Sequence, residues 1–334
     1  LPLGSRRLRD VHLIRRLVHG ARAAPFVPVD VINHIASLAL HHYFRPRNIQ
    51  ATVHFITLVL GHTAPSAHTL GATGPRTDAD TAYPPTACSM ALVPRCAMPD
   101  ARALSMARTW LDVLVRIMAD DARRAAMVAD LVHPKWLLML VRPGLARDDV
   151  PLVLEFVGML LSTSPSLAQT WTRLGGFRVL ERTLPPHWDV PCVLPWMWTL
   201  LLGPHAPKSS LYHTFAHATA VAHPQALRVI VQCMAHGMMA CRTAPAKRRA
   251  SLPHIPAPPP GLTALEDSVR LLVVHSHNED VRALLMLAPT LVAVLRATAP
   301  CFVDEPCGPR VCALCDALVD MLAACIAELM LSSH

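Results

Sequence analysis

Apolar residues in this chain recur with the 3.6-residue period of a helix, in short runs that proline or glycine repeatedly cuts off. Proline cannot continue a helix interior, because it lacks the N–H donor and its ring clashes with the preceding turn. A chain punctuated this way is expected to fold as helix after helix joined by tight turns. The side chains agree. Hydrophobic residues make up 52% of the sequence but aromatics only 5%, and Leu, Ala, Val and Met dominate. Strands enrich in β-branched and aromatic residues, so this balance favours helices.

The period predicts helices near Arg9 to His19, Val29 to His42 and Asn48 to Gly61. It resumes with Ala101 to Ala119, Ala122 to Val141 with a break near Pro134, and Val150 to Leu161. Ser164 followed by Pro165 makes a good helix start, and Gly175 with Gly176 a left-handed stop. Phe177 to Leu184 follows, and Asp189 is expected to cap the apolar run up to Gly203. Ser209 to Cys241 reads as two helices meeting at Pro224. Thr263 and Glu266 have capping-box spacing, Asn278 can cap the next helix, and the last runs from about Arg310 to Leu331.

Two stretches lack the period. Residues 62–100 are rich in Ala, Thr, Pro and Gly, and 242–261 are basic and Pro-rich, so both are read as disordered linkers. They divide the chain into helical blocks 1–61, 101–241 and 262–334. The expected fold class is all-α, an irregular armadillo- or HEAT-like α-solenoid, although no repeat of fixed length is visible in the residues. A compact bundle is the alternative.

The net charge of +8 rests on arginine, since Lys135, Lys208 and Lys247 are the only lysines. The arginines are scattered, which suits solvated helix faces and not a nucleic-acid stripe. The ten cysteines (Cys88, Cys96, Cys192, Cys233, Cys241, Cys301, Cys307, Cys312, Cys315 and Cys325) lie mostly inside apolar runs, without the short regular framework of a secreted disulfide module. They are read as reduced, in a cytoplasmic protein. The chain starts at Leu1, shows no signal peptide, and is expected to be a fragment of a larger protein.

A spanning helix needs about 20 apolar residues. Val190 to Gly203 is too short and carries Pro191 and Pro195. Val311 to Leu331 is long enough, but its wheel gathers Val311, Leu314, Cys315, Leu318, Leu322, Cys325, Ile326 and Leu329 on one face and Asp316, Asp320 and Glu328 on the other. That is the pattern of a core helix; a polytopic membrane protein is kept as an alternative.

No nucleotide-binding or hydrolase signature occurs in the sequence. The Cys301-Cys315 cluster, with Cys307 and Cys312, could offer four thiols to zinc, but Cys312 and Cys315 fall inside the amphipathic run, where thiols pack as small apolar groups. The His213-His223 cluster, with His217 one turn from His213, resembles a ligand series without an acid or thiol to complete it. Asp120 with Asp121 and Asp148 with Asp149 sit where helix starts favour negative charge. Arg248, Arg249, Ala250 and Ser251 match the substrate pattern of basophilic kinases, so Ser251 is the candidate phosphorylation site.

From Asp149 to Gly203 the sequence carries a further pattern: an apolar helix Val153 to Leu161, then Trp171, Gly175, Gly176, Phe177, Leu180, Leu184, Trp188, Pro191 and Leu201-Leu202-Gly203. Over these roughly 55 residues the chain resembles the helical region of fungal BEACH proteins, relatives of beige and neurobeachin. The resemblance implies an armadillo-like array upstream of PH-like, BEACH and WD40 domains, none of which is recognisable here. It implies a non-enzymatic cytoplasmic scaffold in vesicle trafficking, protein sorting or autophagy, with protein partners and peripheral membrane contact. It implies no cofactor and no catalytic residue. Gly175, Gly176, Phe177 and Trp188 are then expected to be structural.

Overall fold

The computed structural model describes residues 10, 12–23, 26–61, 101–243, 261–287, 290–292, 294–295 and 309–332. Every regular element among them is helical. The first group is α1 (Leu13–Ala23), α2 (Val29–His42) and α3 (Pro46–Leu60). A central series follows: α4 (Ala101–Asp120), α5 (Ala122–Leu131), α6 (Pro134–Leu140), α7 (Val150–Thr163), α8 (Pro165–Arg173), α9 (Gly176–Thr183) and α10 (Val193–Leu202). The last group is α11 (Leu211–Phe215), α12 (Ala226–Thr243), α13 (Leu262–His275), α14 (Glu279–Leu285) and α15 (Pro309–Ser332). Residues 62–100 and 244–260, including Ser251, lie outside the described residues, as do Cys301 and Cys307.

Local chemistry explains most helix starts. Asp121 accepts from the Arg123 N–H at 2.9 Å, Ser164 from Leu167 at 3.4 Å and Asn278 from Asp280 at 2.9 Å. Each bond satisfies a donor that the first helical turn leaves unpaired. Pro46, Pro134 and Pro165 stand at the first helical position, where no donor is needed. Two expected caps fail. Asp189 does not cap α10, whose preceding residue is Cys192 and makes no side-chain bond. Thr263 and Glu266 form no capping box, because α13 begins at Leu262 after Gly261 and Thr263 already lies inside the helix. Both acids are held instead by arginines distant in sequence, Asp189 by Arg147 and Glu266 by Arg310.

The helices pack in chain order. α4 rests on α2 and α3, α7 on α4 and α5, α10 on α7, α12 on α9 and α10, α13 on α11 and α12, and α15 on α13. α7 and α10 are buried almost all round, through Val153, Leu154, Phe156, Val157, Leu160 and Leu161 in one and Val193, Leu194, Met197, Trp198, Leu200 and Leu201 in the other. One continuous apolar core runs from Ile14 to Cys325. Within the central series the order short, short, longer occurs twice, as α5–α6–α7 with 10, 7 and 14 residues and α8–α9–α10 with 9, 8 and 10.

Three polar ties between segments distant in sequence span 41 or 42 residues. Arg108 of α4 grips Asp149 at the start of α7, 41 residues on. Arg147 grips Asp189 with two bonds of 2.7 Å, 42 residues on. The Thr183 hydroxyl donates to the Val141 carbonyl at 2.7 Å, again across 42 residues. A bidentate arginine–carboxylate pair fixes direction as well as distance, so the two arginine ties fix how the segments they join sit on one another.

No single helix among the described residues is long and apolar enough to cross a membrane. One pair, Arg147–Thr163 with Pro165–Arg173, meets the length and composition for a span but is bent by 114°. In α15 the expected face buries Val311, Leu314, Cys315, Leu318, Leu322 and Cys325, but Ile326 is 47% exposed and Met321 is buried in addition. The helix rests on α12 and α13, and Ile326, Met330 and Leu331 near its end are exposed.

Candidate functional site

The double-glycine turn lies at the edge of a cleft. α8 ends as the Leu174 N–H donates to the Thr170 carbonyl and the Gly175 N–H to Thr172, both at 3.0 Å. Gly175 then turns the chain in the left-handed region, φ +79°, where an L side chain is disfavoured. Gly176 opens α9 directly against the indole of Trp171; a Cβ there would lie 2.0 Å from Trp171 Cε2. The chain therefore reverses in two residues and delivers Phe177 into the core, 5% exposed, with its ring 6.0 Å from that of His223. Burial lowers the pKa of His223, so it is neutral at physiological pH.

Beyond this turn α9, the start of α12 and the end of α14 enclose a cleft of about 400 Å³. Phe177, Leu227, Leu284 and Leu287 supply its apolar lining, while Arg178, Glu181 and Arg228 supply charge. Glu181 Oε1 lies 2.7 Å from Arg228 Nε, so those two charges offset each other. Arg178 is exposed and makes no ion pair among the described residues. Leu287 is 52% exposed, which leaves an apolar rim open to solvent.

Trp188 is a packing residue. It is 7% exposed, and Gly237 of α12 approaches its ring so closely that a Cβ would stand 2.8 Å away. The Arg147–Asp189 pair lies beside it. The hydrogen bonds from Arg147 hold the Asp189 carboxyl below its ordinary pKa, and burial lowers that of His187 nearby.

The histidine series does not converge. α11 ends at Phe215, so His213 and His217 do not share a helix face; both are exposed, while His223 packs on Phe177. Cys315 is fully buried and Cys312 partly buried within α15, as small apolar residues would be. Among the described residues no three His, Cys, Asp or Glu side chains come together as metal ligands. The half-buried Cys192 thiol is pushed up to about 11 by burial, far from the reactive thiolate range.

The structure thus brings Gly175 and Phe177 to the cleft and leaves Gly176 and Trp188 beneath the surface. Sequence reasoning missed Arg178, Glu181, Arg228, Leu284 and Leu287. The first two follow Phe177 within one helical turn and were within reach of a periodicity argument; the others arrive from segments distant in sequence. No family model, curated protein or solved structure matches this chain.

Proposed function

We propose that this chain is a non-enzymatic helical-repeat scaffold, an armadillo-like α-solenoid segment of a BEACH-like protein that acts in vesicle trafficking, protein sorting or autophagy. The observation that carries the reading is the common spacing of the interlayer ties, 41, 42 and 42 residues. Armadillo and HEAT units recur at about 40–47 residues. The twofold short–short–longer helix order supports the same repeat, and each layer packs mainly on its neighbours, as a solenoid requires. Such stacks offer long side-chain-lined surfaces on which protein partners dock, and that is the activity proposed here, with contact to a membrane surface as an accompaniment and nucleic acid excluded. The double-glycine stretch, on which the BEACH resemblance rests, forms the turn between α8 and α9 inside this repeat.

In-cell cross-linking of the tagged full chain followed by mass spectrometry tests this. Reproducible links to membrane-tethering and sorting proteins are expected. Links confined to chaperones and ribosomal proteins would count against the trafficking role, and stoichiometric zinc with substrate turnover in the purified chain would replace the scaffold by an enzyme.

A further inference from the structure

We propose that the cleft beside the double-glycine turn is a peptide-docking groove that takes a short segment of another protein, two aliphatic side chains next to an Asp or Glu. The inference rests on the scaffold reading and names the chemistry of its partner. Three features of the cleft select the occupant. Its apolar lining comes from the buried Phe177 and Leu227 and from Leu284 and Leu287, which are open to solvent to a greater degree, among polar residues such as Thr172 and Gln225. Scattered exposed leucines are ordinary, but one at 52% exposure beside a partly buried neighbour in a concave site leaves apolar surface for a partner to cover.

The charges select next. Glu181 and Arg228 cancel as a pair at 2.7 Å, so the charge left over is that of exposed Arg178. An apolar segment with an acid beside it complements both the lining and that guanidinium, and a basic segment would meet uncompensated repulsion. Size selects last. About 400 Å³ is at the small end of the ~300–1,000 Å³ typical of ligand clefts, enough for a few side chains of a peptide and too little for a folded surface to enter.

The test pans a displayed library of random twelve-residue peptides on the immobilised full chain, then measures the enriched peptides, fluorescein-labelled, by anisotropy. The expected winners pair two aliphatic residues with Asp or Glu. Their affinity falls at least tenfold on Arg178→Glu and on Leu287→Asp, and replacing the peptide acid by Lys restores binding to the Arg178→Glu chain. Both substituted side chains are exposed, and unchanged far-UV circular dichroism verifies the fold of each variant. Enriched peptides that ignore both substitutions overturn the groove while leaving the scaffold reading intact, and so does a library with no winners, because the cross-linking experiment judges the scaffold separately. Binding to phosphatidylserine vesicles but not to peptides, lost on Arg178→Glu, overturns the peptide assignment in favour of a lipid headgroup.

Discussion

A methyl group added at Gly176 would meet Trp171 Cε2 at 2.0 Å, and Trp171 is fully buried. At Gly175 the same methyl group meets nothing within 4 Å, and the cost comes only from the left-handed backbone at φ +79°. The two substitutions therefore separate packing from backbone strain. Gly175→Ala is expected to destabilise by about 1–2 kcal/mol, and Gly176→Ala by about 3 kcal/mol, at the upper end of overpacking. Urea unfolding of both variants measures the difference, and equal effects would mean that Trp171 gives way. Trimming the indole by Trp171→Phe in the Gly176→Ala background should recover part of the loss, since it removes atoms from the side of the clash.

At the scale of single helices, caps are cheap to test. Asp121→Ala leaves the Arg123 N–H without its 2.9 Å acceptor and should cost about 1 kcal/mol by thermal or urea unfolding. Glu155 on α7 is a different case. Burial, and secondarily the Asp112 charge, raise its pKa, so the neutral form is favoured in the folded chain. Its contribution is present below the ordinary value of 4.5 and is lost as pH rises through the raised folded value. Glu155→Gln should therefore raise the melting temperature at pH 7 and leave it nearly unchanged at pH 4. Element boundaries were largely legible because they depend on neighbours in sequence: Pro165 with Ser164, Asn278 and the double glycine all act within a few residues. The failure at Glu266 is partly local, since Gly261 starts α13 before Thr263 can cap it, whereas what holds Asp189 and Glu266 and what exposes Ile326 is tertiary. Arg147, Arg310 and the limited cover of α15 are tertiary facts, and no local spacing contains them. The cleft was illegible for the same reason, since Arg228 and Leu287 reach Phe177 only through the packing of α12 and α14.

Across the whole molecule, packing joins segments that the sequence alone does not relate: the ties at 41, 42 and 42 residues accompany no visible sequence period. Burial also lowers the pKa of four histidines, His54, His187, His223 and His275, so the folded chain resists protonating them. The unfolded chain binds those protons at the ordinary 6.5, and stability is therefore present above that pH and falls as pH drops through 6.5 toward the lowered folded values. Melting temperatures at pH 7.5 and 5.5 should show the loss, and a chain equally stable at both would contradict it. α1 and α15 pack on fewer helices than α7 and α10 do, so hydrogen exchange is expected to be faster in the first two than in the second two. The six tryptophans all lie between Trp110 and Trp198, and Trp110, Trp171 and Trp198 are fully buried. Indole emission therefore reports on α4 to α10 and on the helices those rings touch, from α2 through Trp110 to α13 through Trp198, so an emission-based melt would rank substitutions in the centre of the chain faithfully while remaining far less sensitive to damage in its first or last helix.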